Sequence, residues 1–236
     1  MHPIDKNESS DHKDQREVAV LAGIMAPSSL VQAIVLVTDL DSARHRMEAL
    51  GLTVLDGGRH PGRGTANLIV PFGQQYLELL TVVDAPEAMA SPQGRPVVGA
   101  LARHGPGLAR WSVEPRDIEA TAARLGQPLE ERRRVLVDGT TIRWRSVGVD
   151  AAWDEPWRCA FMAWDDPSMH PARLGGLLHR NGATGFSRLE VGVPDAQALT
   201  AWLGGAIPEG VTVCEGGDPG PTALFLASPE GEIRIT

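Results

Sequence analysis

Apolar and polar positions fall into a regular pattern from Leu30 onward, and the pattern recurs three times along the chain. Val31–Thr38 is a continuous β-branched run, which predicts a largely buried strand. Asp39-Leu40-Asp41-Ser42 offers N-cap candidates. Ala43, Met47 and Leu50 follow at helical spacing, and Gly51 stands where a helix C-terminus favours glycine. Leu52–Leu55, Ala66–Val70 and Tyr76–Val83 predict three further strands, separated by a turn-rich loop over 56–64 and a turn over Pro71–Gln74. The order is β-α-β-β-β.

The second round places a strand at Leu108–Val113, a helix at Arg116–Leu125 ending at Gly126, and strands at Arg133–Val137 and Thr141–Val147 around a tight Asp138-Gly139 turn. Cys159–Trp164 predicts one more strand. The third has a strand at Phe186–Val193 and a helix at Ala196–Leu203, opened by Pro194-Asp195 and closed by Gly204-Gly205. Strands at Val211–Glu215, Thr222–Ala227 and Glu232–Ile235 follow. The strand-to-helix entries VTDLDSA, VEPRDIEA and VPDAQA share a strand ending in Val, an acidic cap and an Ala-rich helix. Such self-similarity marks a repeated supersecondary unit. The expected division is a tail over 1–28, a first unit over 29–83, a linker over 84–106, a second unit over 107–175 and a third over 184–236, with 150–183 read as Pro/Gly-rich connection.

Composition narrows the function classes. The 236 residues are 42% hydrophobic and 22% charged, which suffices for a real core. Lys+Arg 22 against Asp+Glu 30 gives a net charge of −8, which argues against nucleic acid and anionic membranes as partners. No apolar run reaches the length of a membrane span. Gly 26 and Pro 18 imply many turns and argue against a helical bundle. The two cysteines, Cys159 and Cys214, form no CxxC pair or disulfide framework, so a reducing, cytoplasmic location is expected. Residues 1–17 are polar and charged, and Val18–Met25 is too short for a secretory signal, so the start reads as a solvated tail, with Met25 an alternative start of translation. There is no P-loop, HExxH, GxSxG or strand-following GxGxxG.

The run Gly57-Gly58-Arg59-His60-Pro61-Gly62-Arg63-Gly64-Thr65-Ala66-Asn67, followed by Tyr76-Leu77-Glu78-Leu79, resembles the glyoxalase-like proteins of the vicinal oxygen chelate superfamily. Phe161-Met162-Ala163-Trp164 with His170-Pro171 matches the same pattern. The resemblance covers about residues 30–175. It implies an α+β fold in which repeated βαβββ units form an open, cup-shaped mixed β-sheet with flanking helices. It also implies a divalent metal (Zn, Fe, Mn, Ni or Mg) in the cup, held by side chains of the first and fourth strands of each unit. Metal-assisted lyase, isomerase or dioxygenase chemistry on a small oxygen-bearing substrate would follow.

Carried onto this chain, the resemblance puts Gln32 and Glu78 at first-unit ligand positions. In the second unit it points near Arg110 and Arg143-Trp144, which are not ligands, and in the third near Arg188. His60 and His170 are then the substitutes, giving Gln32, Glu78, His60 and His170 as the metal set and Glu78 with His60 as the catalytic pair. Arg59, Arg63 and Asn67 would bind substrate, with Trp111, Trp144 and Trp164 as walls. Each has a plainer reading: Glu78 as a strand carboxylate paired with an arginine, Gln32 as a hydrogen-bonded polar group, His60 and His170 as structural histidines, and Arg59 and Arg63 as solvated arginines. Trp153 and Trp157 suit an aromatic lid on a loop. Glu130–Arg134 reads as a solvated edge, His45, His104 and His179 as surface or local structure, and both cysteines as small buried hydrophobes. Two rival functions remain open. One is metal-free binding and sequestration of a small molecule. The other is an interaction protein whose third unit forms a homodimer by edge-strand pairing.

Overall fold

The computed structural model describes residues 28–135, 139–173 and 178–236. Residues 1–27 of the expected tail, with the alternative start at Met25, and 136–138, which end the expected strand and open the tight turn, lie outside them. The first unit comprises β1 (Ser29–Leu36), α1 (Leu40–Ala49), β2 (Leu55–His60), β3 (Thr65–Pro71) and β4 (Tyr76–Val82). The second comprises β5 (Gly107–Glu114), α4 (Ile118–Leu125), β6 (Glu130–Val135), β7 (Thr141–Val147) and β8 (Ala160–Trp164). Within each unit the first strand pairs parallel with the fourth, and β1 pairs antiparallel with β5. The result is one eight-stranded sheet in the order β2-β3-β4-β1-β5-β8-β7-β6. It curls into a half-barrel.

The helices start where the acidic caps predict. Asp39 accepts from the Ser42 N–H at 2.7 Å and Asp117 from the Ala120 N–H at 2.8 Å, each satisfying an orphan donor of the first turn. The third segment repeats the device, with Asp195 accepting from the Gln197 N–H at 2.7 Å at the start of α6 (Ala196–Leu203).

Pairing in the third segment differs from that in the first two. β9 (Gly185–Val193) pairs parallel with β10 (Val211–Glu215) and antiparallel with β11 (Gly220–Ser228), which pairs with β12 (Gly231–Ile235), in the order β10-β9-β11-β12. The element order β-α-β-β-β is as expected, yet the strand after the helix joins the first strand directly. The edges of this sheet are β10 and β12, the strands available for the edge pairing expected of the third unit.

Strand alternation separates two faces. Ala33, Val35, Leu77, Leu79, Trp111, Val113 and Phe161 point to the convex side. There they form one continuous core with Met47 of α1, Ile118 and Ala122 of α4, and Leu189, Val191, Leu199, Trp202, Leu224 and Leu226 of the third segment. Full burial of such side chains contributes about 1.5–3 kcal/mol each. The Trp202 indole N–H donates to the Cys159 carbonyl at 2.9 Å, pinning α6 to the root of β8.

The concave face is the cup, closed at one end by two helices. The expected linker folds into α2 (Ala85–Ala90) and α3 (Arg95–His104), and the expected lid loop contains α5 (Val149–Asp154). Val97 and Ala100 of α3 pack with Trp153 of α5, Ile34, Leu36 and Leu80. Trp153 is thus part of a wall, and Trp157 is buried in the convex core. The predicted loop over 56–64 is mostly strand: Asp56 to His60 pair with β3, with a bulge between Asp56 and Gly58 where Gly58 takes φ +93. Glycine-rich sequence here encodes a bulge. Cys159 is buried as expected and Cys214 is exposed. His179 is buried too. Its Nδ1 accepts from the Thr53 N–H at 2.9 Å, its Nε2 lies 2.9 Å from the Pro71 carbonyl, and its ring packs on Phe72. Among the described residues, no helix is long and apolar enough to cross a membrane.

Candidate functional site

The cup encloses about 550 Å³. Its lining follows from alternation: Gln32 and Ile34 of β1, Thr65, Asn67 and Ile69 of β3, Tyr76, Glu78 and Leu80 of β4, and Arg110 of β5. Across from them stand Arg132 and Arg134 of β6, Trp144 of β7, and Met162 and Trp164 of β8. Two apolar clusters form the walls, one around Ile69, Tyr76, Ile142, Met162 and Trp164, the other around Ile34, Leu80, Val97 and Trp153. A polar band runs between them.

Glu78 is the centre of that band. Its Oε2 accepts from Gln32 Nε2 at 2.6 Å and its Oε1 from Asn67 Nδ2 at 2.7 Å. The amide of Gln32 is fixed by its far side. Its Oε1 accepts from Ser112 Oγ at 2.7 Å and faces the Arg110 guanidinium at 3.5 Å, and since arginine only donates, the NH₂ must face Glu78. A Cβ on Gly57 would lie 2.0 Å from Asn67 Oδ1, so glycine at that position leaves the space Asn67 occupies.

Arginines surround this carboxylate. Arg110 is only 8% exposed, stacks 5.0 Å over the Trp153 ring, and has a buried Nε without a hydrogen-bond partner. Burial, and then the charge of Arg132, lower its pKa, while Glu78 opposes that shift. Arg132 pairs with Glu130. The side chains of Arg63 and Arg134 line the cavity and make no ion pair or hydrogen bond among the described residues. Desolvation lowers the pKa of both, for Arg63 the like charges of Arg132 and Arg134 add to it, and the charge of Glu78 opposes the shift in each.

Two neutral histidines differ in access. His60 lines the cup with Nδ1 2.9 Å from Thr65 Oγ1, and burial together with Arg134 and Arg63 lowers its pKa to about 4. His170 sits behind the wall, 4.1 Å between ring centroids from Trp164 and 5.6 Å from Tyr76. Its Nδ1 accepts from the Ala172 N–H at 3.0 Å, and burial and Arg173 lower its pKa to about 4. It does not reach the cavity lining, where Pro171 stands instead.

Of the residues proposed from sequence, the cup brings together Gln32, His60, Arg63, Asn67, Glu78, Trp144 and Trp164. Arg59 turns outward to Asp84 and Glu87, at 3.2 and 2.6 Å. Trp111 is fully buried in the convex core and is no wall of the cup, because it alternates with the inward-facing Arg110 and Ser112. The Glu130–Arg134 run is an edge strand, but Arg132 and Arg134 alternate into the cup. Arg110 and Tyr76, which the sequence does not mark as cup residues, complete the site together with Trp153, which is wall on α5 in place of the expected loop lid. Arg110 shows its place once Gln32 and Arg110 are seen to stand seven residues ahead of the matching caps Asp39 and Asp117.

The expected metal set does not fit this geometry. The Gln32 oxygen is taken up by Ser112 and Arg110, and His170 is behind the wall, so Gln32, Glu78, His60 and His170 do not converge on one point. The fourth strand of the second unit is β8, since α5 is inserted after β7, so the position once placed near Arg143-Trp144 falls on Ala160, which pairs with Ser112 as Glu78 pairs with Ile34. Alanine brings no donor and Arg110 brings a cation. Among the described residues no group of three or more His, Cys, Asp or Glu could hold a metal ion.

The glyoxalase-like domain model matches residues 33–207, from β1 through α6. The chain belongs to the glyoxalase-like domain family. Its two paired βαβββ units build the vicinal oxygen chelate fold. No curated protein sequence is significantly similar to it. Among solved structures, a hypothetical protein from Staphylococcus aureus has 17% identity and a TM-score of 0.58 over 88% of this chain and 84% of its own, a likeness of fold. Methylmalonyl-CoA epimerase from Mycobacterium tuberculosis has 19% identity and a TM-score of 0.40 over 58% of this chain and 86% of its own. A single-substitution variant of Streptomyces coelicolor methylmalonyl-CoA epimerase in complex with 2-nitronate-propionyl-CoA has 18% identity and a TM-score of 0.42 over 59% of this chain and 97% of its own.

Proposed function

We propose that this glyoxalase-like protein binds a small organic anion in its cup and moves a proton on it, an isomerase- or lyase-type reaction with Glu78 as base. One observation carries the reading: the Glu78 carboxylate, oriented by two amides, lies among cavity arginines of which Arg63 and Arg134 make no ion pair among the described residues. Buried guanidinium groups are costly unless a negative charge meets them. An anionic ligand adds to the negative charge that Glu78 and Asp150 already set against Arg110, and its acidifying carbonyl or carboxyl group is polarised there. Gln32 and Asn67 leave lone pairs of Glu78 free toward the cavity. His60, neutral at physiological pH, holds a proton at the β2 edge of the cup and serves as donor to a developing oxyanion. The apolar clusters exclude water around the carbon skeleton. The unpaired thiols Cys159 and Cys214 support a cytoplasmic location.

Sequestration without turnover is the second reading, favoured by the occupation of both Glu78 oxygens by amide donors. Calorimetric titration with butyrate tests the part common to both. Wild-type protein binds it and Arg110→Gln does not. Equal affinity in the two proteins would sink the anion reading.

A further inference from the structure

The cationic groups of the cup are too many for one small acid group and fall in two places. Arg110 lies deep, on the Trp153 platform of α5, next to Gln32. Arg63 lies in the β2–β3 turn and Arg134 near the end of β6, and β2 and β6 are the two opposite edges of the eight-stranded sheet. Those edges approach each other where the sheet curls: a Cβ on Gly58 of β2 would come within 3.2 Å of Arg134 Nη2. The half-barrel therefore brings Arg134 across its open side toward β2, beside His60 and Arg63. The charge of Glu78 acts on both Arg63 and Arg134, but neither makes an ion pair among the described residues, whereas Arg132 has Glu130 and the outward Arg59 has Asp84 and Glu87. Arginines that only closed the cup would be expected to have such partners. Glu78 lies between the deep arginine and the edge pair.

We propose that the ligand is a short aliphatic dianion, with one carboxylate at Arg110 and a second acid group, carboxylate or phosphonate-like, clamped by Arg63 and Arg134, its carbon chain lying across Glu78. This rests on the anion reading above and names the class of substrate within it. Planar guanidinium pairs suit such a clamp because they bind acid oxygens through two parallel N–H groups. The edge pair also sets specificity, since a monoacid leaves Arg63 and Arg134 facing each other with no acid group between them.

The test compares butyrate with succinate, glutarate, adipate and 3-phosphonopropionate by quenching of tryptophan fluorescence, in the wild type, Arg110→Gln and the double variant Arg63→Gln/Arg134→Gln. Melting curves confirm that each variant is folded. The wild type binds at least one of the diacids about tenfold or more tighter than butyrate, the gain expected of a charge-assisted pair. The double variant loses that gain and keeps its butyrate affinity, whereas Arg110→Gln loses both ligands. Preference for 3-phosphonopropionate over every dicarboxylate assigns the clamp to a phosphonate or phosphate group, and the reverse assigns it to a carboxylate. Diacids no tighter than butyrate, or a double variant that weakens both equally, overturn the dianion while the anion reading stands. No binding of any probe overturns both.

Discussion

At the scale of single residues, the cup turns on how one carboxylate is held. Glu78 could have been read from sequence as a ligand or as half of an ion pair, and the structure gives it amide donors on both oxygens. The motif around it was legible because Gly57, Asn67 and Glu78 act together: the glycine vacates the space the asparagine fills, and the asparagine orients the carboxylate. Gly57→Ala should therefore push Asn67 off Glu78, lower stability by about 1–3 kcal/mol as overpacking does, and weaken butyrate binding. Thermal unfolding and calorimetry check both effects. The donor set has a matching consequence. Adding Zn²⁺, Mn²⁺, Ni²⁺ or Mg²⁺, or stripping with EDTA, should leave the melting temperature and butyrate affinity unchanged. A stabilisation by one of these ions that Glu78→Ala abolishes would show instead that Glu78 and its neighbours rearrange to take metal.

At the scale of elements, strands and caps were written plainly. The continuous β-branched run of β1 and the acidic caps Asp39, Asp117 and Asp195 correspond to observed starts, because burial and capping act locally. What sequence hid was a matter of facing and insertion. The charged run of β6 looked solvated, since its polarity has no period visible without knowing which alternate residues the curl turns inward. The helix α5, inserted between β7 and β8, moved the fourth strand of the second unit away from Arg143 and Trp144. It also brought Trp153 beneath Arg110. Trp153→Ala should cost about 3–5 kcal/mol, as truncation of a buried tryptophan does. It should also reduce butyrate affinity by releasing Arg110, whereas truncating Trp202, on the far side of β8, should cost stability and leave affinity in the surviving folded protein unchanged. Paired urea melts and titrations separate the two.

At the scale of the whole molecule, a chain of net charge −8 carries a cationic interior. Composition reported only the sum, so the sign of the ligand was invisible in it. The same enclosure shapes the response to acid. His60 and His170 titrate near 4 in the folded protein against an ordinary value of 6.5, and the pKa of His179 is lowered by its burial. Their folded state takes up protons later than the unfolded one. Stability is therefore unaffected above about pH 7, falls as pH drops through 6.5, and levels as the folded groups titrate near 4, by about 2 kcal/mol each for His60 and His170 once solvent screening is allowed for. Denaturant melts between pH 7.5 and 4 check this, and His170→Gln should flatten part of the slope. A slope of the opposite sign would mean these histidines are charged in the fold.

The central claim is that Glu78 moves a proton on an anion held in the cup, and solvent-deuterium exchange tests it most directly. Protein in D₂O is incubated with 2-oxobutyrate, 2-oxoglutarate and oxaloacetate, and loss of the C3–H proton signal is followed by NMR. The account predicts that the wild type accelerates exchange in at least one of these acids by about 100-fold or more over Glu78→Gln, the range of general-base catalysis, while both proteins still bind it. Equal rates in the two proteins, or tight binding of these acids with no exchange in any, would contradict it and leave sequestration as the function of the cup.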